Sequence, residues 1–264
     1  MLGSEPPMIV VSDLTKTYDG NIEAIKNISL TIEKGEFTVI FGPSGVGKST
    51  LLRCLNYLVK PTSGDVIIDG QRVGNLSKAE LLGLRSRVGM IFQDFNLVNR
   101  MSVLSNVMCG RLHGLSVLRA LTYSFAQADH EAAVHALRRA GLDDTELYNR
   151  RADTLSGGQR QRVGIARMLV QNPKVILADE PVASLDVKMQ QTIMRLVSDI
   201  AAKDDITVVM SLHHLDLAKQ YASRIIGLSD GQVAFDGPPK SLSDDIIDKV
   251  FKMVDDKVVS TRND

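Results

Sequence analysis

Short apolar runs broken by turn residues dominate the first ninety or so positions. Met8-Ile9-Val10-Val11, Ile28-Ser29-Leu30-Thr31-Ile32 and Phe37-Thr38-Val39-Ile40-Phe41 are rich in β-branched residues, with Asp19-Gly20 and Lys34-Gly35 between them. That pattern predicts three strands joined by turns. After a polar, glycine-rich stretch, Thr50-Leu51-Leu52-Arg53-Cys54-Leu55 predicts a helix. Pro61 to Asp65 is a turn, and Val66-Ile67-Ile68-Asp69-Gly70 a strand ending in another. Leu76 to Arg85 predicts a helix opened by Ser77, with Glu80 three residues on at the spacing of a capping box. Val88 to Phe92 predicts a further strand, which ends at Gln93.

From 94 to 170 the period lengthens to that of helices. Within His130 to Ala140, apolar Ala133, Val134, Leu137 and Ala140 share one face, and Gly141 stops the helix. Residues 111–128 hold Leu112, Leu115, Val117, Leu118, Leu121 and Phe125 with little acidic charge, which predicts helix or loop packed against a neighbour. Strand and helix then alternate again. Val175 to Ala178 is a buried strand, Met189 to Ala201 an amphipathic helix, Ile206 to Ser211 a strand and 215–222 a helix. Two last strands, Arg224 to Leu228 and Gln232 to Phe235, meet at Asp230-Gly231. Ile246, Ile247, Val250, Phe251 and Val254 recur at helical spacing and predict a docked helix with a loose tail. The expected organisation is one α/β domain over 8–240. Residues 8–93 and 171–240 form its core, 94–170 an inserted helical subdomain, and 241–264 a terminal helix and tail.

Composition removes several classes of function. In 264 residues, Lys plus Arg equals Asp plus Glu at 31 each, so the basic excess of a nucleic-acid binder is missing. No apolar run approaches the ~20 residues of a membrane helix. Met1 to Pro7 lacks a basic region followed by an apolar segment, which predicts no secretory signal. If the protein serves a membrane, another chain spans it. Cys54 and Cys109 share no metal or redox spacing and read as small core residues in a reducing cytosol.

The chemistry is concentrated in a few places. Gly42-Pro43-Ser44-Gly45-Val46-Gly47-Lys48-Ser49-Thr50 has the phosphate-loop spacing between a predicted strand and a predicted helix. Its glycines let the backbone curl so that N–H groups converge, and the helix N-terminus adds partial positive charge. Lys48 is placed to reach the β- and γ-phosphates of a nucleoside triphosphate and Ser49 to ligate Mg²⁺. Asp179 closes an apolar run, as a carboxylate does when it meets a metal at the C-terminal edge of a sheet, and Glu180 follows as a candidate general base. Leu155-Ser156-Gly157-Gly158-Gln159 opens a long helix with Ser156 as its N-cap. Two glycines weaken a helix start but let backbone N–H groups approach an anion closely. One nucleotide has little need of two anion-seeking helix ends in one subunit. Two subunits arranged head to tail give each nucleotide both.

Phosphate loop, Gln93, Leu155 to Gln159, Asp179-Glu180, Ser184-Leu185-Asp186 and His213, in this order, resemble the ATP-binding subunit of an ABC transporter, from Val10 to about Pro239. The resemblance implies a P-loop NTPase core of ABC type, with an N-terminal antiparallel β-subdomain and an inserted α-helical subdomain. It implies ATP and Mg²⁺ as ligands. Tyr18 then stacks on adenine, and Gly42 to Thr50 hold the phosphates. Ser156, Gly157, Gly158, Gln159 and Asp186 complete the partner's site in a homodimer. Ser49, Gln93 and Asp179 serve the metal. Glu180 is the general base, with Lys48, the switch glutamine Gln93 and the switch histidine His213 as the other catalytic groups. His214 competes with His213, which is preferred because Ala218 follows it at the family's five-residue spacing.

Finer words, Leu58 to Gly64, Gly89 to Gln93 and Cys109 to Leu112, resemble importer ATPases, and the insert around Leu115 to Ala128 is similar to the phosphonate-importer subunit. Phosphate, phosphite and polar amino-acid importers share most of these words. The implied partners are a second copy, two transmembrane permease subunits and, indirectly, a periplasmic or extracellular solute-binding protein, with no nucleic acid. The implied place is the cytoplasmic face of the inner membrane, peripherally bound. A DNA-repair type ABC ATPase would need a coiled coil between 48 and 156, where there is no room. A soluble accessory ATPase of a phosphonate-degrading complex is the other alternative.

Overall fold

A computed structural model describes residues 5–251. In chain order it begins with β1 (Ile9–Tyr18), β2 (Ile22–Ile32), β3 (Phe37–Phe41), α1 (Lys48–Leu55), β4 (Ser63–Ile68), β5 (Gln71–Arg72), α2 (Lys78–Arg85) and β6 (Val88–Ile91). The middle contains α3 (Val103–Met108), α4 (Val117–Leu121), α5 (Gln127–Arg139) and α6 (Gly157–Leu169). Then come β7 (Val175–Asp179), α7 (Val187–Asp204), β8 (Thr207–Leu212), α8 (Leu215–Tyr221), β9 (Arg224–Ser229) and β10 (Gln232–Gly237).

The strands form two sheets. One is antiparallel, in the order β2-β1-β4-β5, and the other is β10-β9-β3-β8-β7-β6. In the second sheet β3, β6, β7, β8 and β9 are parallel and only β10 runs against its neighbour. Its inner strands are apolar at nearly every position because both faces are covered. Alternation along β3 sends Ile40 into one core, with α1 and the antiparallel sheet, and Val39 and Phe41 into the other, with α6 and α7.

Register fixes where function can sit. Phe41 lies opposite Leu212, and Asp179 opposite Ser211. The chain therefore leaves β3, β7 and β8 at one level of the C-terminal edge, where open α/β sheets place their ligands. The phosphate loop follows β3, Glu180 follows β7 and His213 follows β8.

Several expectations need correcting. β1 and β2 run to ten and eleven residues, where apolar alternation marks only their outer ends. Register shifts interrupt the pair around Asp13 and Asn27, both at positive φ, so the period of two breaks without the pairing breaking. α7 begins at Val187, two residues early, because Asp186 caps it by accepting from Met189 N–H at 3.0 Å. The helix read from Ser77 holds, and its capping box is formed in both directions. Segment 111–128 packs only in part: Phe125 joins the main core, whereas α4 leaves Val117, Leu118 and Leu121 73–80% exposed. Residues 244–251 are helical, and Val250 O accepts from Ser229 Oγ at 3.0 Å, whereas Val254 lies outside the described residues.

Cys54 is the core residue expected, but Cys109 is half-exposed and contacts the Tyr123 hydroxyl at 3.0 Å. Burial pushes the Cys54 thiol up to about 11. Its thiolate fraction at pH 8 is then on the order of one in a thousand. Folded protein is expected to react with a thiol reagent at one site per chain, Cys109, and at two after denaturation. Rapid labelling of both in the folded state would contradict the packing of α1.

Candidate nucleotide site

The chain enters the loop from a fully buried strand and leaves it through the first turn of α1. Gly47 is the N-cap, at φ 107. A Cβ there would fall 2.2 Å from the Ala24 carbonyl oxygen of β2, so both conformation and space demand glycine. The antiparallel sheet thus closes one side of the loop. A cavity of about 330 Å³ opens in front, lined by Ala24, the loop, Gln93 and Glu180.

Lys48 is almost fully buried, and its ammonium donates to Gly42 O and Pro43 O, both at 2.9 Å. It also lies 3.4 Å from Glu180 Oε1. The loop therefore holds the cation at its own centre, aimed at the cavity. Ser49 Oγ donates to Asp179 Oδ1 at 2.7 Å, which joins the start of α1 to the end of β7. Glu180 sits at φ 45, a left-handed conformation unusual for a side chain of its size. The reversal swings its carboxylate out of the line of β7 and over the cavity. His213 Nδ1 lies 3.5 Å from Glu180 Oε2. The His214 ring lies tilted against that of His213, with centroids 4.1 Å apart, so His213 is the histidine that faces Glu180.

Two residues that sequence reasoning missed hold this arrangement. Ser211, fully buried, donates to Asp179 Oδ1 at 3.1 Å and accepts from the Glu180 N–H at 2.9 Å. Arg53 Nη2 reaches Asp179 Oδ2 at 3.3 Å. The signal for Ser211 is a hydroxyl at the end of the apolar run Val208 to Met210. For Arg53 it was a cation one helical turn beyond Ser49.

Tyr18 ends β1 at the rim, half-exposed, with its hydroxyl 3.5 Å from Thr50 Oγ1 and Lys16 Nζ 4.9 Å above its ring. Leu155 to Gln159 and Asp186 are not among the residues that line the cavity. Ser156 caps α6 in a two-way capping box with Gln159. Gly157 is exposed, and a Cβ on it would lie 3.5 Å from Leu185, so this helix start and the Ser184 to Asp186 loop form one face. Gly158 has a packing role as well: a Cβ there would come 2.8 Å from the Met189 side chain of α7.

A glycine loop at a helix N-terminus, a buried lysine at its centre and two carboxylates at the adjoining strand end define a P-loop nucleotide-binding protein. The model of the ABC transporter family matches residues 25–183, and the chain belongs to that family. The phosphonates import ATP-binding protein PhnC of Thiobacillus denitrificans is 50% identical over 244 residues, 92% of each chain. PhnC 2 of Haloarcula marismortui is 46% identical over 245 residues, 93% of this chain and 90% of the relative. Among solved structures, the ATP-binding cassette MJ0796, described as a dimer in a post-hydrolysis state with ADP and Pi, is 37% identical. It superposes with a TM-score of 0.78 over 89% of this chain and all of that one. CbiO1 of Clostridium perfringens, part of the transporter complex cbiONQ, is 31% identical with a TM-score of 0.77, over 96% of this chain and 95% of its own.

Proposed function

We propose that this chain is the ATP-hydrolysing subunit of an ABC importer for phosphonates, working as a head-to-tail homodimer on the cytoplasmic face of the membrane. The observation that carries the reading is the separation of two half-sites. Lys48, Asp179, Glu180 and His213 meet at one sheet edge, while Leu155 to Gln159 and Asp186 present another face. Val187, beside that face, is 71% exposed, as an apolar residue covered by a second copy would be. The helical arm 94–170 carries the second half-site at the start of α6.

ATP would lie in the cavity before the loop with Tyr18 against its base. Lys48 would give its ammonium to the β- and γ-phosphates. Ser49, Asp179 and Gln93 offer the oxygens of a hydroxyl, a carboxylate and an amide, the donor set that suits Mg²⁺. Among the described residues no cluster of three His, Cys, Asp or Glu could hold a metal alone. Ser49 Oγ and Asp179 Oδ1 already meet at 2.7 Å beside the phosphate loop, so these donors fit an ion held jointly with substrate phosphates. When bound, Mg²⁺ neutralises charge on the phosphates. Glu180 accepts a proton from the attacking water, and Ser211 fixes the backbone turn that presents it. His213 orients the Glu180 carboxylate from the far side. Water attacks phosphorus, the bond to the leaving ADP oxygen breaks, and catalysis is positioning and charge stabilisation.

No helix among the described residues is long and apolar enough to cross a membrane, so the permease would be two other subunits. Its cytoplasmic coupling segment should seat beside Gln93, where Phe95, Leu97 and Met101 are half-buried and Val98 is exposed. Cysteines placed at 95–101 are expected to cross-link to the permease. Links formed only elsewhere on the surface would refute this seat. The solute is tested by reconstitution with permease and binding protein in vesicles. Phosphonate-loaded binding protein should stimulate ATPase above loading with phosphate, phosphite or an amino acid. Equal stimulation by one of those, or co-purification with a soluble enzyme complex instead of membranes, would overturn the assignment.

A further inference from the structure

α4 is an apolar knob that nothing among the described residues covers. Val117 is 78% exposed, Leu118 73% and Leu121 80%, and the three cluster on a helix of five residues. The segment is nevertheless firmly held. Tyr123 donates its hydroxyl to Ser105 O at 2.8 Å and meets Phe125 edge-on at 5.0 Å, while Ser124 N–H closes the helix on Arg119 O at 2.8 Å. Phe125 in turn packs on the main core. The exposure is therefore a property of a fixed ledge, and a contiguous apolar patch on such a ledge marks an interaction surface.

Charge says what the surface meets. No acidic residue lies between Asp94 and Asp129, in a chain whose total charge is balanced. Arg111 is paired with Asp129 at 3.0 Å, and the same carboxylate also feels the charge of Arg119, so one acidic group answers two of the arginines of this stretch, which also holds Arg100 and the exposed His113. Exposed apolar side chains in a stretch that holds three arginines and, through Asp129, one carboxylate match an anionic phospholipid surface, where the apolar face enters the headgroup layer and the excess positive charge meets phosphates. The alternative occupant, a permease loop, matches less well, because cytoplasmic loops of membrane proteins carry excess Lys and Arg. We propose that α4 is a lipid-contact element, seating Val117, Leu118 and Leu121 in the headgroup layer of an anionic membrane. This rests on the reading above only in setting the chain beside a membrane.

The test is flotation of the full chain, without permease or nucleotide, with vesicles of phosphatidylcholine alone or mixed with phosphatidylglycerol. Wild-type protein is expected to float with the anionic vesicles, less so in high salt. The double substitution Leu118→Ser, Leu121→Ser should weaken that association by roughly tenfold. ATPase activity should be unchanged, since neither residue touches the nucleotide site. Flotation with neither vesicle, or flotation that the substitutions leave unaltered, would overturn the proposal. So would substitutions that lower flotation only by altering self-association, read by light scattering of the same proteins. Import and vesicle binding are read separately, so failure of either leaves the other standing.

Discussion

Replacing Glu180 by Gln is expected to slow ATP hydrolysis by about 10²–10⁴-fold while leaving ATP binding intact. The amide keeps the size of the carboxylate and can accept a hydrogen bond from water. It is too weakly basic to take a proton. The backbone turn at φ 45 and its bond to Ser211 do not depend on the side chain, so the group should stay where the carboxylate was. Asp179 makes the contrast. Its carboxylate binds Ser49, Ser211 and Arg53 together, so Asp179→Asn should weaken Mg²⁺-dependent nucleotide binding as well as turnover. Phosphate release under single-turnover conditions separates the two. A Glu180→Gln protein that hydrolyses at the wild-type rate would remove Glu180 from the mechanism.

Lys48→Ala should abolish measurable ATP binding. The ammonium is the cation at the centre of the loop, fixed by two carbonyls of the loop itself and by Glu180. Its loss removes the attraction for the β- and γ-phosphates. It also leaves two carbonyl oxygens and a half-buried carboxylate facing each other without a counter-ion, and an unpaired buried charge is costly. The core beneath the loop, Val39 to Phe41 and α1, keeps its packing, so the protein should remain folded by circular dichroism. Calorimetry with a non-hydrolysable ATP analogue measures the loss. Unchanged affinity would refute the loop as the phosphate site.

Much of this site was legible in the sequence because its parts are contiguous words. The phosphate loop, Asp179-Glu180 and the helix start at Ser156 each obey a local rule, and the strand ends that bring the first two together follow from apolar runs. What was not legible is either long-range or against a rule. Ser211 matters only through the register that sets it opposite Asp179. Arg53 reads as an ordinary helix cation until β7 is placed beside α1. Apolar alternation marks only part of β1 and β2, because bulges at Asp13 and Asn27 disguise a strand from its period. α4 was expected to be covered because an apolar stretch normally is, and no local pattern tells an interface from a core. The paired glycines after Ser156 point by local rule to anion approach alone, and the packing of Met189 over Gly158 is visible only in three dimensions.

The central claim is that each ATP is completed by a second copy of the chain, and the apparent mass of the Glu180→Gln protein with ATP and Mg²⁺ tests it most directly. Size exclusion with light scattering should give a dimer with ATP and Mg²⁺ and a monomer without nucleotide. Adding Ser156→Arg should return it to monomer with ATP still bound, because the change sets a bulky side chain where the exposed start of α6 must meet the other subunit's nucleotide. A Glu180→Gln protein that binds ATP and stays monomeric, or a double variant that still dimerises, would contradict the composite site.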